Sequence, residues 1–133
     1  MKFSQNLKDK TIILTGACGG IGRKILEALH NNGASIIAVD LCIDNTLVLM
    51  YPDIKFYECD LTEAASFMEI ANDVVADYGK ITNLINAHGV AGNYPLADVT
   101  LEEFNRVMVA NLYSVLMTCQ TVIPIMVVPS CLR

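Results

Sequence analysis

Little of this 133-residue sequence is charged: Asp, Glu, Lys and Arg make up 17% of it, with a formal net charge of −5. The few Lys and Arg are scattered, with no run and no basic helix face, which excludes a nucleic-acid footprint. Histidine is scarce as well. His30 and His88 are the two present, and neither makes a ligand spacing with the cysteines, so no metal site is expected. C-x-x-C is missing, the five cysteines are odd in number, and the opening MKFSQNLKDK has no apolar signal core. Reduced thiols in a cytoplasmic protein fit that pattern. Internal repeats, linkers and low-complexity segments are lacking too. One domain with a sizeable core is expected, in a chain that is 53% hydrophobic.

What is present alternates. Thr11 to Leu14 is a β-branched apolar run that reads as a buried strand. A helix follows from about Gly20 to Asn32, with Ile21, Ile25, Leu26 and Leu29 on its core face and Gly33 as its stop. SIIAVD, ending at Asp40, is a second buried strand, and a short helix fits Asn45 to Met50. KFYEC is a third strand, ending at Asp60. Thr62 is placed to cap a helix from Glu63 to Tyr78 whose apolar face is Ala64, Phe67, Met68, Ala71, Val74 and Val75. TNLINA is a fourth strand. Thr100 to Glu103 has capping-box spacing and opens a long helix through Phe104, Met108, Leu112, Val115 and Cys119 to about Ile123, limited by Pro124. Such alternation implies an α/β layer structure around a parallel sheet.

The glycines Gly16, Gly19, Gly20 and Gly22 join the first strand to the first helix. A helix start has unpaired N–H groups and the positive end of the helix dipole, which suit a phosphate. Glycine permits positive φ and close approach of a pyrophosphate, and a bulky side chain at Gly20 or Gly22 would obstruct the ligand or the helix packing. A tight turn with no ligand is the alternative. Asp40, at the end of the second strand, is placed to accept hydrogen bonds from the adenosine ribose. It would also repel a 2′-phosphate: two unit charges about 4 Å apart at an effective dielectric of about 20 cost about 4 kcal/mol. No Arg or Lys lies close by in sequence to offset this, so NAD is favoured over NADP. A solvated Asp after a strand is the plainer alternative.

Thr15-Gly16-Ala17-Cys18-Gly19-Gly20-Ile21-Gly22 resembles the T-G-x-x-x-G-I-G signature of short-chain dehydrogenases/reductases. Asp40, Asp60-Leu61, the segment Leu84 to Gly89, Asn111-Leu112 and Pro124-x-Met126 resemble later motifs of that family, in its order. The resemblance implies a Rossmann-like doubly wound parallel sheet with four strands in the order 3-2-1-4, and a nicotinamide dinucleotide as cofactor. By the same resemblance Gly16, Gly20 and Gly22 seat the pyrophosphate, Asp40 the ribose and Asp60 the adenine, and Asn86 and Ala87 border the cofactor with Gly89. Thr15, Cys18, Gly19, Ile21 and Leu61 complete the candidate cofactor-binding set. In the fourth-strand segment, Ala87 stands where the family has a second Asn, and His88 where Ala is usual. His88 could contact the cofactor, and a loop histidine without a special role is the plainer reading.

The family transfers hydride between nicotinamide and a hydroxyl or carbonyl substrate, using a Ser, a Tyr and a Lys beyond the long helix. Here the one Y-x-x-x-K, Tyr51 to Lys55, straddles Pro52 where no useful helix fits, and Ser130 has no strand before it. Asn111 is the only member of the catalytic tetrad matched, and a buried amide bonded to neighbouring backbone accounts for it locally. The expectation is a truncated product: a dinucleotide-binding domain over 1–126, with no fifth strand after the long helix, and a divergent tail over 127–133. A non-catalytic dinucleotide-binding module and a non-functional gene product are the alternatives, and a substrate would require the missing half. Val107 to Cys131 carries no charge. Polar residues within that run argue against a membrane span, and the resemblance implies that the helix from Leu101 to Ile123 meets its counterpart in a homo-oligomer.

Overall fold

The computed structural model describes residues 6–126, and the tail expected over 127–133 lies outside them. Four strands form one parallel sheet in the order β3-β2-β1-β4: β1 is Thr11–Thr15, β2 Ser35–Asp40, β3 Lys55–Glu58 and β4 Asn83–Asn86. Helices α1 (Gly20–Asn31), α2 (Asn45–Met50) and α3 (Ala64–Tyr78) form the crossovers. The strand order is the expected one. In register, Ile13 lies between Ile37 of β2 and Leu84 of β4.

The period of two splits the sheet into two cores. Ile13, Ile37 and Val39 face Phe67, Ile70, Ala71 and Val74 of α3, together with Val122. Leu14, Ile36 and Ala38 face the other way, onto Leu26 of α1. Each fully buried Leu, Ile or Phe contributes roughly 1.5–3 kcal/mol. Layers on both faces are what place the loops after the strands along one edge, where the site lies.

Helix ends follow local chemistry. After α1, Gly33 takes φ +85°, and its N–H and that of Ala34 reach back to the carbonyls of His30 and Leu29. This is a Schellman stop of the kind glycine favours. Gly79 ends α3 at φ +75°. The expected cap at Thr62 is not formed. Its N–H and hydroxyl both donate to Asp60 Oδ1, at 2.9 and 2.7 Å, in a turn before the helix, and α3 begins at Ala64. Ile70 replaces Met68 on the buried face, and Met68 is exposed. Ile21 also departs from expectation: it is 75% exposed rather than part of the α1 core face.

The long helix departs most. It runs as α4 (Leu101–Met108), a π-helical stretch (Val109–Tyr113) and α5 (Ser114–Val122), ending in a 3-10 turn through Ile125. Thr100 caps it by accepting from the Glu103 N–H at 3.1 Å. The Glu103 carboxylate pairs with Arg106 instead of completing a capping box. The face that packs inward carries hydroxyls, with Ser114, Thr118 and Thr121 buried. Phe104, Met108 and Leu112 are exposed, beside Leu116 and Tyr113. Inward hydroxyls are tolerated because each bonds a carbonyl of its own helix: Ser114 to Ala110, Thr118 to Val115 and Thr121 to Met117. Small side chains there let α5 lie close to β4 and α3. By length and composition, Leu101–Ile125 is apolar enough to cross a membrane.

Among the described residues no strand follows the long helix. Met126 forms a parallel bridge with Ile81, on the approach to β4. Among the described residues β4 pairs only with β1, so the expected sheet edge is there.

Candidate functional site

The loop from Gly16 to Gly19 lies where β1 gives way to α1. Gly16 has φ +66°, and a Cβ there would lie 2.6 Å from the Ala87 carbonyl and from His88 Cα. The first turn thus packs directly on the chain leaving β4, which only glycine allows. A Cβ at Gly22 would lie 1.9 Å from the Gly16 carbonyl oxygen, so the first turn of α1 packs on the loop's own backbone. At Gly20 a Cβ meets no protein atom within 4 Å, so packing does not require that glycine.

No side chain caps α1. The first intrahelical bond runs from the Arg23 N–H to the Gly19 carbonyl at 2.9 Å, so the amides of Gly20, Ile21 and Gly22 precede the helix ladder. These donors and the helix dipole favour an anion. Beside them opens a cleft of about 580 Å³ whose lining includes Gly16, Gly19, Asp40, Asp60, Ala87 and Gly89. Cys18 and Leu61 also line it. Thr15, Asn86 and Asn111 support it from behind, and Ile21 projects away from it.

Asp40 is tied into the loop. Its Oδ2 accepts from the Cys18 N–H and its Oδ1 from the Leu41 N–H, both at 2.8 Å. Burial pushes the Cys18 thiol above its ordinary pKa, which keeps it protonated at neutral pH. Asp60 lies across the cleft, and its bonds from Thr62 hold its carboxyl below the usual range. A cation stands closer than the sequence suggested. Arg23, on the cleft wall, donates to the Cys18 carbonyl at 2.7 Å and to Asp44 Oδ2 at 2.6 Å. Its charge is shared with Asp44.

Asn111 lies within the π-helical stretch, a feature frequent at functional sites. It is exposed rather than buried, but its amide clasps one residue: Oδ1 accepts from the Val90 N–H at 2.7 Å and Nδ2 donates to the Val90 carbonyl at 2.8 Å. A Cβ at Gly89 would come within 3.0 Å of Asn111 Oδ1, which accounts for that glycine. Tyr51 and Lys55 form no helical pair. Tyr51 closes α2 and meets His30 edge-on, and Lys55 opens β3 and pairs with Asp77.

His88 is the residue whose part was missed. Its ring joins Thr15 Oγ1 to Ser114 Oγ, at 2.6 and 2.7 Å, and it lines the cleft. The one signal in the sequence was a histidine where Ala is usual.

A doubly wound parallel sheet, an uncapped helix start behind a glycine turn and an acid at the tip of the next strand together define a Rossmann-type α/β protein. The residues fit a dinucleotide: Gly16, Gly19 and Asp40 line the cleft, and the uncapped start of α1 beside them suits an anion. The chain belongs to the short chain dehydrogenase family, whose model matches residues 10–130. It is 32% identical over 126 residues to a D-threitol dehydrogenase of Mycolicibacterium smegmatis, covering 90% of this chain and 48% of that protein. A short chain dehydrogenase of Emericella variicolor is 35% identical over 122 residues, with the same coverage. Among solved structures, a glucose/ribitol dehydrogenase-type member from Brucella melitensis superposes with a TM-score of 0.83 at 27% identity, over 95% of this chain and 55% of that one. The chain thus spans about half the length of the curated relatives it matches. The family uses nicotinamide dinucleotide cofactors.

Proposed function

We propose that this chain is the cofactor-binding part of an NAD-dependent oxidoreductase that passes hydride between nicotinamide and a hydroxyl or carbonyl substrate. The observation that carries the reading is that the Gly16–Gly19 turn, which leads into the uncapped start of α1, and Asp40 line one cleft. Gly16 and Gly19 would admit the pyrophosphate, the amides of Gly20 to Gly22 would hold its charge, and Asp40 and Asp60 would face the adenosine end. Bound there, the dinucleotide would supply the hydride acceptor. Asn111 would keep the Gly89–Val90 backbone in place along the wall.

NAD is favoured over NADP because Asp40 faces the ribose position and Arg23 is held by Asp44. The 133 residues match none of the family's Ser, Tyr and Lys, so this chain alone is expected to bind without turnover. Its substrate would come with a second half, and a cytoplasmic setting follows from the cysteine pattern. The outward apolar face of α4 and α5 is proposed as the contact with a second copy.

The test is a titration of the purified chain with NADH and NADPH, followed by nicotinamide fluorescence, alongside Asp40→Asn. Saturable NADH binding, at least tenfold tighter than NADPH, with the gap narrowed by the substitution, is expected. Equal affinities would contradict the NAD assignment, and no binding would contradict the dinucleotide reading. NADH formation from an alcohol by this chain alone would contradict the proposed lack of turnover.

A further inference from the structure

His88 bridges Thr15, at the root of the glycine turn, and Ser114, where α5 leaves the π-helical stretch. The two hydroxyls set the proton count. Ser114 Oγ lies 2.7 Å from the Ala110 carbonyl, which can only accept. Thr15 Oγ1 lies 3.2 Å from Asn86 Oδ1 and 3.4 Å from the Ile85 carbonyl, again acceptors. A hydroxyl has one hydrogen to give. If each is spent on its carbonyl neighbour, both hydroxyls turn lone pairs to the ring, and the ring must donate from Nδ1 and Nε2 together. Only the imidazolium does so. A neutral ring donates once, and one hydroxyl must then abandon its carbonyl to meet the other nitrogen. The bridge therefore has two hydrogen-bond arrangements, separated by one proton.

We propose that His88 is a proton-linked positioning residue of the cleft, and that an anionic dinucleotide binds with uptake of a proton on this ring. The inference rests on the dinucleotide reading above. The charge environment supports it. From β2 the Asp40 carboxylate acts on the ring and favours the cation. Cys18 on the glycine turn, Asp60 after β3 and the Arg23–Asp44 pair of α1 and the segment before α2 share the same cleft. The long helix presents no charged group from Val107 through Tyr113 to Val122. Burial opposes the cation in the free protein and lowers the pKa of His88. A pyrophosphate brings negative charge into the cleft that His88 lines and shifts the balance back. Protonation then completes both bonds from the ring and fixes the glycine turn against α5.

The test uses ADP-ribose, which carries the pyrophosphate without the nicotinamide, and calorimetry in buffers of different ionisation enthalpy. Affinity is expected to tighten about tenfold from pH 8 to pH 5.5, the change that one unit of pKa displacement produces. The heats are expected to show net proton uptake. His88→Gln keeps one donor and one acceptor but does not titrate, and is expected to bind with neither proton uptake nor the pH slope. His88→Ala, placing the residue common in the family, is expected to lose the slope as well. Binding with the same pH slope and proton uptake in His88→Gln or His88→Ala would overturn the role of His88 alone. No binding of ADP-ribose at any pH would overturn the dinucleotide reading and this inference together.

Discussion

The backbone N–H of Cys18 donates to the Asp40 carboxylate at 2.8 Å, which makes the glycine turn and the tip of β2 one unit. Residues far apart in sequence thus set each other's position before any ligand arrives. Preorganisation of this kind removes ordering costs from binding.

Gly22 and Gly20 are expected to behave differently on substitution. Gly22→Ala drives a Cβ to within 1.9 Å of the Gly16 carbonyl, and the loop must shift. A loss of about 1–3 kcal/mol is expected in urea unfolding, in line with overpacked sites. Gly20→Ala meets open space, and its unfolding midpoint is expected to stay near that of the parent chain.

Asn111→Ala removes both bonds to Val90. The expected cost is about 1–2 kcal/mol, and it is local. Hydrogen exchange at the Val90 amide is expected to speed up while the amides of α3 keep their protection.

Stability is expected to fall with acid through His88. Its pKa is lowered in the fold, while in the unfolded chain it titrates near the ordinary value of about 6.5. Between the two values the unfolded chain binds more protons, so stability rises with pH across that window. It is fully present above the unfolded value and is lost as pH falls toward the folded one. Thermal melts from pH 8 to pH 5 are expected to show this, with a shallower decline in His88→Gln. Asp60 acts at lower pH. Its folded pKa is depressed by Thr62, so its contribution is held above the unfolded carboxylate value and lost as pH falls through the folded one.

The outward face of the long helix is expected to drive self-association. Leu112 and Leu116 are 59% and 51% exposed and border a shallow groove with Met108, Val109 and Tyr113. Leu116→Lys is expected to shift the sedimentation of the chain toward the monomer while leaving NADH affinity unchanged.

Much of the fold was legible because its signals are local. β-branched runs, Gly33 and Gly79 placed the strands and helix stops, and the glycine signature pointed to the cleft. The long helix carries apolar residues on most sides, so its hydrophobicity does not mark which face packs on the sheet. Ser114, Thr118 and Thr121 recur at helical spacing and satisfy their hydroxyls on their own helix, so they can line a close helix–sheet contact. That stripe stands in the sequence, but hydrophobicity does not single it out. Ile21 was misplaced for a related reason, since the first turn of α1 turns toward the solvent rather than the core. His88 and Arg23 act through partners 26 and 21 residues away, Ser114 and Asp44, which no local pattern reveals.

The most direct test of the central claim is an amide chemical-shift titration of the ¹⁵N-labelled chain with NADH. Saturating shifts at Gly16, Gly19 to Gly22 and Asp40, with α3 undisturbed, are the predicted result. Saturating shifts gathered on the outward face of α4 and α5, or none at all, would contradict a dinucleotide site in this cleft.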